Sequence, residues 1–222
     1  MPIRQRERPT IFPLTSSPGA GGERASSIVF DIGNVLIRWE PFALFRHFFD
    51  RAGYERFRDE VDLLEWNRRF DAGLPFADGV RAMVAAHPQH AAALQAFRTR
   101  WIETVPDAIE PNVALLLELR ERGRPVYAIT NFSAETWPLA KRRYPFLHVF
   151  RDTVVSGEHG VVKPDPAIFA LLCERNGLVP ERCLFVDDAR ENVEGARAFG
   201  MKAIHLAPDT DLRRELAAHG VA

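Results

Sequence analysis

The stretch SIVFDIGNVLIRW, residues 27–39, combines a short apolar run with an acid at its end. Ser27 to Phe30 have the composition of a buried strand. Asp31 follows this run, and Gly33 comes two positions later, before a second apolar run. Ligands of open parallel sheets bind beyond the carboxyl ends of the strands. Asp31 is therefore predicted to lie at the functional edge of a sheet.

Four later segments also have the character of buried strands, and turn residues bound each of them. They are residues 125–130, 152–156, 183–187 and 202–206. Helical patterns that begin with Pro or an acid and end in Gly lie between the strands, at residues 111–123, 165–177 and 191–200. This alternation predicts an α/β fold built on a Rossmann-like parallel sheet.

The segment 41–108 is different, because it has no strand-like run and its apolar residues recur at helical spacing. It is longer than a crossover needs, so we predict an inserted α-helical cap over the strand ends. The predicted core then comprises residues 27–40 and 109–222. Residues 1–26 are rich in Pro, Gly, Ser and Arg, and we expect a flexible extension.

The composition argues against nucleic-acid and membrane partners. The chain has 29 basic and 30 acidic residues, so it lacks the positive excess of a polyanion-binding protein. No apolar run reaches the roughly 18 residues that a membrane span needs, and the apolar piece at residues 11–14 is too short for a secretory signal. Cys173 and Cys183 fit buried thiols in a reducing compartment better than a disulfide. We therefore expect a cytoplasmic protein.

Polar side chains end three of the predicted strands. Asp31, Thr130 and Asp187 are the strand-end residues, and Asn131 and Asp188 follow two of them. Adjacent acids repel each other unless a hard cation lies between them, and carboxylate ligands favour Mg²⁺. One acid of the Asp187–Asp188 pair has the alternative role of capping the next helix. The turn at Thr130 offers a hydroxyl and backbone N–H groups to a phosphate.

Lys163 is one of only three lysines and lies between two valines and Pro164. In so lysine-poor a chain, this position favours a lysine that faces a buried anion rather than solvent. Its ammonium could neutralise charge on a carboxylate nucleophile and on a phosphoryl group.

Together these segments resemble the haloacid dehalogenase superfamily of phosphatases, over residues 27–207. The four motifs occur in order as VFDIGNV, ITN, VVKPDPAIF and FVDDARENVEGA. The resemblance implies that Asp31 is a nucleophile that forms an aspartyl-phosphate and that Lys163 is the neutralising cation. It also implies that Thr130 and the backbone at Asn131 hold the phosphate.

The resemblance further implies a magnesium site made by Asp31, Asp187, Asp188 and the carbonyl of Gly33. Asn192 is similar to the residue that steadies the two acids in related members. The first motif is similar to that of phosphatases acting on α-D-glucose 1-phosphate. The chain also broadly resembles the phosphatase-like domain of soluble epoxide hydrolases.

One position departs from the family pattern, because most of these phosphatases carry a second Asp where this chain has Gly33. That Asp protonates the leaving alcohol and later activates water. General acid–base help is typically worth about 10²–10⁴-fold in rate. Its loss predicts slower turnover, substrates with better leaving groups, or a replacement elsewhere in the site.

The sequence therefore predicts a Mg²⁺-dependent phosphatase of a small phosphorylated metabolite, with a sugar phosphate as one candidate, acting as a monomer or homodimer. In the cap, Trp66, Asn67 and Arg69 are predicted substrate contacts. One alternative is a 2-haloacid dehalogenase, which would use Asp31 to attack carbon without metal. A second is a phosphate-binding protein with impaired turnover, which the glycine at position 33 would explain.

Overall fold

The computed structural model describes residues 25–221 of the 222-residue chain. All but the last two residues of the predicted N-terminal extension, residues 1–26, lie outside the described residues. No helix within the described range is long and apolar enough to cross a lipid bilayer.

Five parallel strands form one sheet with the order β3-β2-β1-β4-β5. The strands are β1 (Ser27–Phe30), β2 (Val126–Thr130), β3 (Thr153–Val155), β4 (Cys183–Asp187) and β5 (Lys202–His205). β1 is central, and its Phe30 pairs in register with Ala128 of β2 and Val186 of β4. Because all the strands run in one direction, the residues that follow β1, β2 and β4 emerge at the same edge. The predicted α/β fold with a Rossmann-like sheet is confirmed.

The segment between β1 and β2 contains a series of helices that begins at Phe42. They are α1 (Phe42–Phe45), α2 (Arg51–Glu60), α3 (Leu63–Asp71), α4 (Phe76–Ala86) and α5 (Ala91–Thr99), with short 3₁₀ turns at Pro88–His90 and Trp101–Thr104. We call α1 to α5 the cap.

The remaining helices lie between the strands of the sheet, except for α11, which follows the last strand β5. They are α6 (Glu110–Glu121), α7 (Trp137–Arg143), α8 (Ser156–His159), α9 (Pro166–Asn176), α10 (Arg190–Phe199) and α11 (Leu212–Ala218). Local signals in the sequence explain the ends of α9. The side chain of Asp165 accepts a hydrogen bond from the backbone of Ala167, and Gly177 ends the helix with a φ of 61°.

The alternation of side chains along β1 supplies both faces of the sheet with apolar groups. Ile28 and Phe30 join a buried cluster that continues into the cap and includes Phe45 and Phe97. Val29 points to the opposite face, where it belongs to a second cluster with residues of α9 and α10. The cap is therefore packed onto the core through a continuous apolar interior, which fixes its position over one part of the sheet.

Candidate active site

Three acids converge at the carboxyl edge of the sheet. Asp31 follows the central strand β1, Asp187 ends the neighbouring strand β4, and Asp188 comes next. One carboxylate oxygen of each lies within 4.8 Å of the others. We call these three residues the acid cluster. Its geometry follows from strand order, because β1 and β4 are hydrogen-bonded neighbours that end side by side.

The chain turns back immediately after Asp31. Asn34 has a φ of 52°, a left-handed conformation that Asn tolerates better than most residues. Its backbone N–H donates to the carbonyl of Ile37 at 2.7 Å, and its side-chain oxygen accepts from the backbone of Trp39 at 3.0 Å. This turn places Gly33 and Asn34 at the mouth of the sheet edge, beside the acid cluster.

Lys163 lies between two of the acids. Its Nζ is 2.7 Å from Oδ1 of Asp31 and 2.7 Å from Oδ2 of Asp187, and the side chain is almost completely buried. Asn131 positions this lysine through its backbone. The side-chain oxygen of Asn131 accepts from the N–H of Lys163 at 2.8 Å, and its Nδ2 donates to the Lys163 carbonyl at 3.1 Å.

Asp187 is fixed from several sides. Asn192 donates from Nδ2 to both of its carboxylate oxygens at 3.1 Å, and the backbone N–H of Ala189 donates to Oδ1 at 2.8 Å. The bond from Ala189 fixes the turn before α10, but no side chain caps the first turn of this helix, so the structure does not show the capping role that was the alternative for one of the two acids. Asn192 therefore contacts Asp187, and its predicted part in steadying both acids stays a prediction.

The electrostatics of the cluster reflect burial and crowding of like charges. Burial, opposed by Lys163 and reinforced by the charges of Asp187 and Asp188, raises the pKa of Asp31 to about 7. Burial and then the charge of Asp187 raise the pKa of Asp188. Burial alone would lower the pKa of Lys163, but the carboxylates of Asp187 and Asp31 together raise it. The ammonium is therefore held in its charged form.

The acid cluster and Lys163 carry a net charge of −2 when all four groups are ionised. A divalent cation would balance that charge, and the oxygen donors match the preference of Mg²⁺. Asp31, Gly33 and Asp188 line the adjacent cavity, whereas the oxygens of Asp187 are occupied by hydrogen bonds to the protein. The residues present therefore fit a hard divalent cation on the cavity side of the cluster.

A cavity of about 180 Å³ lies between the sheet edge and the cap. From the core, its polar lining includes Asn34 and Asn131 in addition to the acid cluster's Asp31 and Asp188. From the cap, α3 contributes two polar residues, Asn67 and Asp71. Apolar side chains form the rest of the wall: Ile37, Trp39, Trp101, Val105 and Phe132. The cavity is smaller than the roughly 300–1,000 Å³ typical of ligand pockets.

Only one of the three predicted cap contacts reaches this cavity. Asn67 lines it, but Trp66 is buried in the cap, where its Nε1 donates to the carbonyl of Gly79 at 3.3 Å. Arg69 points to solvent and pairs with Glu65 at 3.4 Å. The reason is helical geometry, because successive residues of α3 project about 100° apart and cannot all face the sheet. Trp66 is therefore a packing residue in this structure.

Thr130 ends β2 and is buried, but it does not line the cavity. The next residue, Asn131, does. That Thr130 and the backbone at Asn131 hold the phosphate therefore stays a prediction.

Asp71 is an acid of the cavity lining that the sequence did not predict. It is the last residue of α3, and Nδ2 of Asn67 donates to its Oδ2 at 2.8 Å. Burial, followed by the charge of Asp31, raises the pKa of Asp71 to about 7. The spacing from Asn67 offered a signal, since residues four apart lie on one face of a helix.

A family model described as haloacid dehalogenase-like hydrolase matches residues 26–200. The chain therefore belongs to this family of hydrolases, and the resemblance inferred from the four motifs is confirmed.

Three curated relatives are phosphatases. A phosphatase of Mycobacterium tuberculosis is 38% identical over 89 residues, which cover 40% of this chain and only 41% of the relative. A sesquiterpene phosphatase of Aspergillus oryzae is 27% identical over 188 residues, 80% of this chain and 88% of the relative. A phosphorylated carbohydrates phosphatase of Thermotoga maritima is 26% identical over 190 residues, 81% of this chain and 83% of the relative.

Solved structures share the fold. A haloacid dehalogenase family enzyme of Bacteroides thetaiotaomicron, solved with magnesium and inorganic phosphate, has a TM-score of 0.65 at 22% identity, covering 86% of this chain and 98% of that chain. The L-2-haloacid dehalogenase of Xanthobacter autotrophicus has a TM-score of 0.61 at 20% identity, covering 89% and 84%. A dehalogenase therefore shares this fold, whereas the curated relatives are named as phosphatases, and the site must distinguish the two reactions.

Proposed function

We propose that the protein is a Mg²⁺-dependent phosphatase that hydrolyses a small phosphate monoester through an aspartyl-phosphate on Asp31. The observation that carries this proposal is the position of the Asp31 carboxylate. It lines a cavity, belongs to the acid cluster, and has the Lys163 ammonium 2.7 Å away. An attacking carboxylate and a phosphoryl group repel each other, so a reaction between them needs this density of compensating charge.

Asp31, Asp188 and the carbonyl of Gly33 would hold the cation. Asp187, which does not line the cavity, would add its negative charge to the site. When bound, Mg²⁺ supplies charge neutralisation to the oxygens of the phosphoryl group. Asn192 and Lys163 keep Asp187 in place through the hydrogen bonds described above.

The nucleophile forms a bond to phosphorus as the ester bond to the leaving oxygen breaks. Lys163 remains paired with the buried carboxylates and prevents them from repelling one another. Thr130 and the backbone at Asn131 are the proposed phosphate contacts, since both residues lie at the end of β2 next to β1. Water then hydrolyses the aspartyl-phosphate and releases inorganic phosphate.

The lining of the cavity supports a substrate whose organic part is small and uncharged. Among the described residues, none of those lining the cavity is Lys, Arg or His, so a second anionic group would find no partner there. Trp39, Trp101 and Phe132 offer aromatic faces suited to a sugar ring or another compact apolar surface. The relative that acts on phosphorylated carbohydrates supports a sugar phosphate, with α-D-glucose 1-phosphate among the candidates.

The same lining disfavours a 2-haloacid dehalogenase. Such a substrate carries a carboxylate, and the acids Asp71 and Asp188 line the cavity where it would bind. A phosphate-binding protein without turnover would keep Lys163, Asp187 and Asp188 but would have no use for a cavity-facing nucleophile at Asp31.

The test is hydrolysis of p-nitrophenyl phosphate by the wild-type chain with Mg²⁺ and with EDTA. We expect hydrolysis only with Mg²⁺, and we expect Asp31→Asn to abolish it. In a separate measurement, Mg²⁺ should raise the melting temperature of the wild type. Asp78→Asn, an exposed cap substitution, is the matched control and should keep full activity. Turnover by Asp31→Asn would contradict the mechanism. Chloride release from 2-chloropropionate would favour the dehalogenase, and phosphate binding without hydrolysis would favour the binding protein.

A further inference from the structure

The site lacks an acid at Gly33, so the proton for the leaving alcohol must come from another group. Three titratable side chains line the cavity within the described chain: Asp31, Asp71 and Asp188. Asp31 is the proposed nucleophile, and Asp188 belongs to the proposed cation site. The other polar side chains that line the cavity are amides, which do not exchange protons near neutral pH. Asp71 is the remaining candidate.

The position of Asp71 is fixed from both sides of the cavity. Within the cap, Asn67 donates to its Oδ2 at 2.8 Å. From the core, the Ser156 hydroxyl donates to its backbone carbonyl at 2.5 Å. These contacts hold the carboxyl group at the junction of cap and core, on the side of the cavity supplied by α3.

The environment of Asp71 also suits proton transfer. Its pKa is raised to about 7, first by burial and then by the charge of Asp31, while Lys163 acts in the opposite direction. A general acid works best when its pKa lies near the working pH, because both the protonated and ionised forms are then accessible.

We propose that Asp71 is the general acid–base residue of this enzyme, supplied by the cap in place of the acid missing at position 33. This inference rests on the proposed phosphatase function. Asp31 forms a bond to phosphorus, the ester P–O bond breaks, and the leaving oxygen takes the proton of Asp71. Asp71, now a carboxylate, accepts a proton from water as the water oxygen bonds to phosphorus. The P–O bond to Asp31 then breaks, and the products are the alcohol and hydrogen phosphate.

The test compares Asp71→Asn with wild type on p-nitrophenyl, phenyl and benzyl phosphate, which share a ring but differ in leaving-group quality. Benzyl phosphate needs protonation most, so its kcat/KM should fall by about 10²–10⁴-fold. p-Nitrophenyl phosphate needs it least, so phosphorylation of Asp31 should stay within a few-fold of wild type. Asp71→Asn also lacks the base that accepts a proton from water when the aspartyl-phosphate is hydrolysed. The variant should therefore release one p-nitrophenolate per active site in a burst and then turn over slowly.

A structural role for Asp71 would give a different pattern, since all three substrates would lose rate equally and no burst would appear. That result would overturn the proposal, as would wild-type rates on benzyl phosphate. Asp78→Asn serves as the control that changes an exposed cap acid and should match wild type on every substrate. If the wild type hydrolyses none of the three esters with Mg²⁺, the phosphatase function itself fails, and the role of Asp71 fails with it.

A second variant distinguishes the loss of proton transfer from a folding defect. A Cβ added at Gly33 would meet no atom within 4 Å, so the structure has room for an acid there. Gly33→Asp combined with Asp71→Asn should recover at least 10-fold of the lost activity on benzyl phosphate. No recovery, in a double variant that retains the p-nitrophenolate burst, would count against proton transfer as the lost function.

Discussion

Replacement of Lys163 by Met would remove the one cation that the structure places inside the acid cluster. The Nζ atom is 2.7 Å from a carboxylate oxygen of Asp31 and 2.7 Å from one of Asp187. The side chains of Lys163, Asp31 and Asp187 are 1%, 9% and 0% exposed, so water cannot take over the role of the ammonium. Methionine fills a similar volume, and the change therefore tests charge rather than packing.

Removal of one partner from a buried ion pair typically costs about 3–5 kcal/mol of unfolding free energy. For a chain of this size each kcal/mol corresponds to roughly 2–4 °C in melting temperature, so the expected loss is roughly 6–20 °C. Lowering the pH from 8 to 5 should restore part of this difference, because the unpaired carboxylates then take up protons. The measurement is thermal unfolding followed by circular dichroism in EDTA.

Lys141→Met is the matched control. Lys141 lies on α7 with its Nζ 5.7 Å from the ring centre of Trp137, a contact worth about 1 kcal/mol at most. If Lys163→Met melts as close to the wild-type temperature as the Lys141→Met control does, the view that this ammonium holds the acids together is refuted. A difference between the two variants that does not change between pH 8 and pH 5 would refute the electrostatic explanation.

Two further predictions follow from burial. In metal-free buffer the unfolding free energy should fall between pH 5 and pH 8, because the pKa values of Asp31 and Asp71 are raised to about 7 in the folded state from 3.8. The stabilisation that comes from the protonated forms is complete below about pH 3.8 and is lost as the pH rises through about 7. Asp71→Asn should therefore flatten the dependence of the unfolding free energy on pH, which is measured by urea unfolding at each pH. Trp66→Ala should cost about 3–5 kcal/mol in the same assay, whereas Arg69→Ala should cost less than about 1 kcal/mol and leave KM unchanged. A raised KM for Arg69→Ala would instead support its predicted contact with substrate.

The sheet and the acids at its edge could be predicted from the sequence because their positions depend on local signals. A buried strand is short and apolar, and the residue that ends it must lie at the sheet edge. Asp31, Asp187 and Asp188 are therefore brought together by strand order alone, since β1 and β4 are neighbours. Lys163 was also predictable, because a lysine flanked by valines and Pro164 in a lysine-poor chain has few reasons to be buried without an anion.

The cap side of the cavity could not be predicted in the same way. Its helices are evident from periodicity, but the face that a helix turns toward the sheet is set by tertiary packing. Trp66 packs against Phe70 and Phe97, with ring centres 5.2 and 5.0 Å away, and this rotation turns Asn67 and Asp71 toward the cavity. The aromatic walls were not predicted either, since Trp39 and Phe132 lie in irregular segments after β1 and β2, and tertiary packing sets the path of such segments.

The placement of the proposed acid on the cap has an electrostatic consequence for the reaction. When all four groups are ionised, the acid cluster and Lys163 together carry a charge of −2, and a phosphate monoester brings negative charge into the same cavity. Burial and the charge of Asp31 already oppose ionisation of Asp71, and a bound phosphate would oppose it further. Asp71 would therefore hold its proton while the substrate is intact and lose it as the leaving oxygen gains charge.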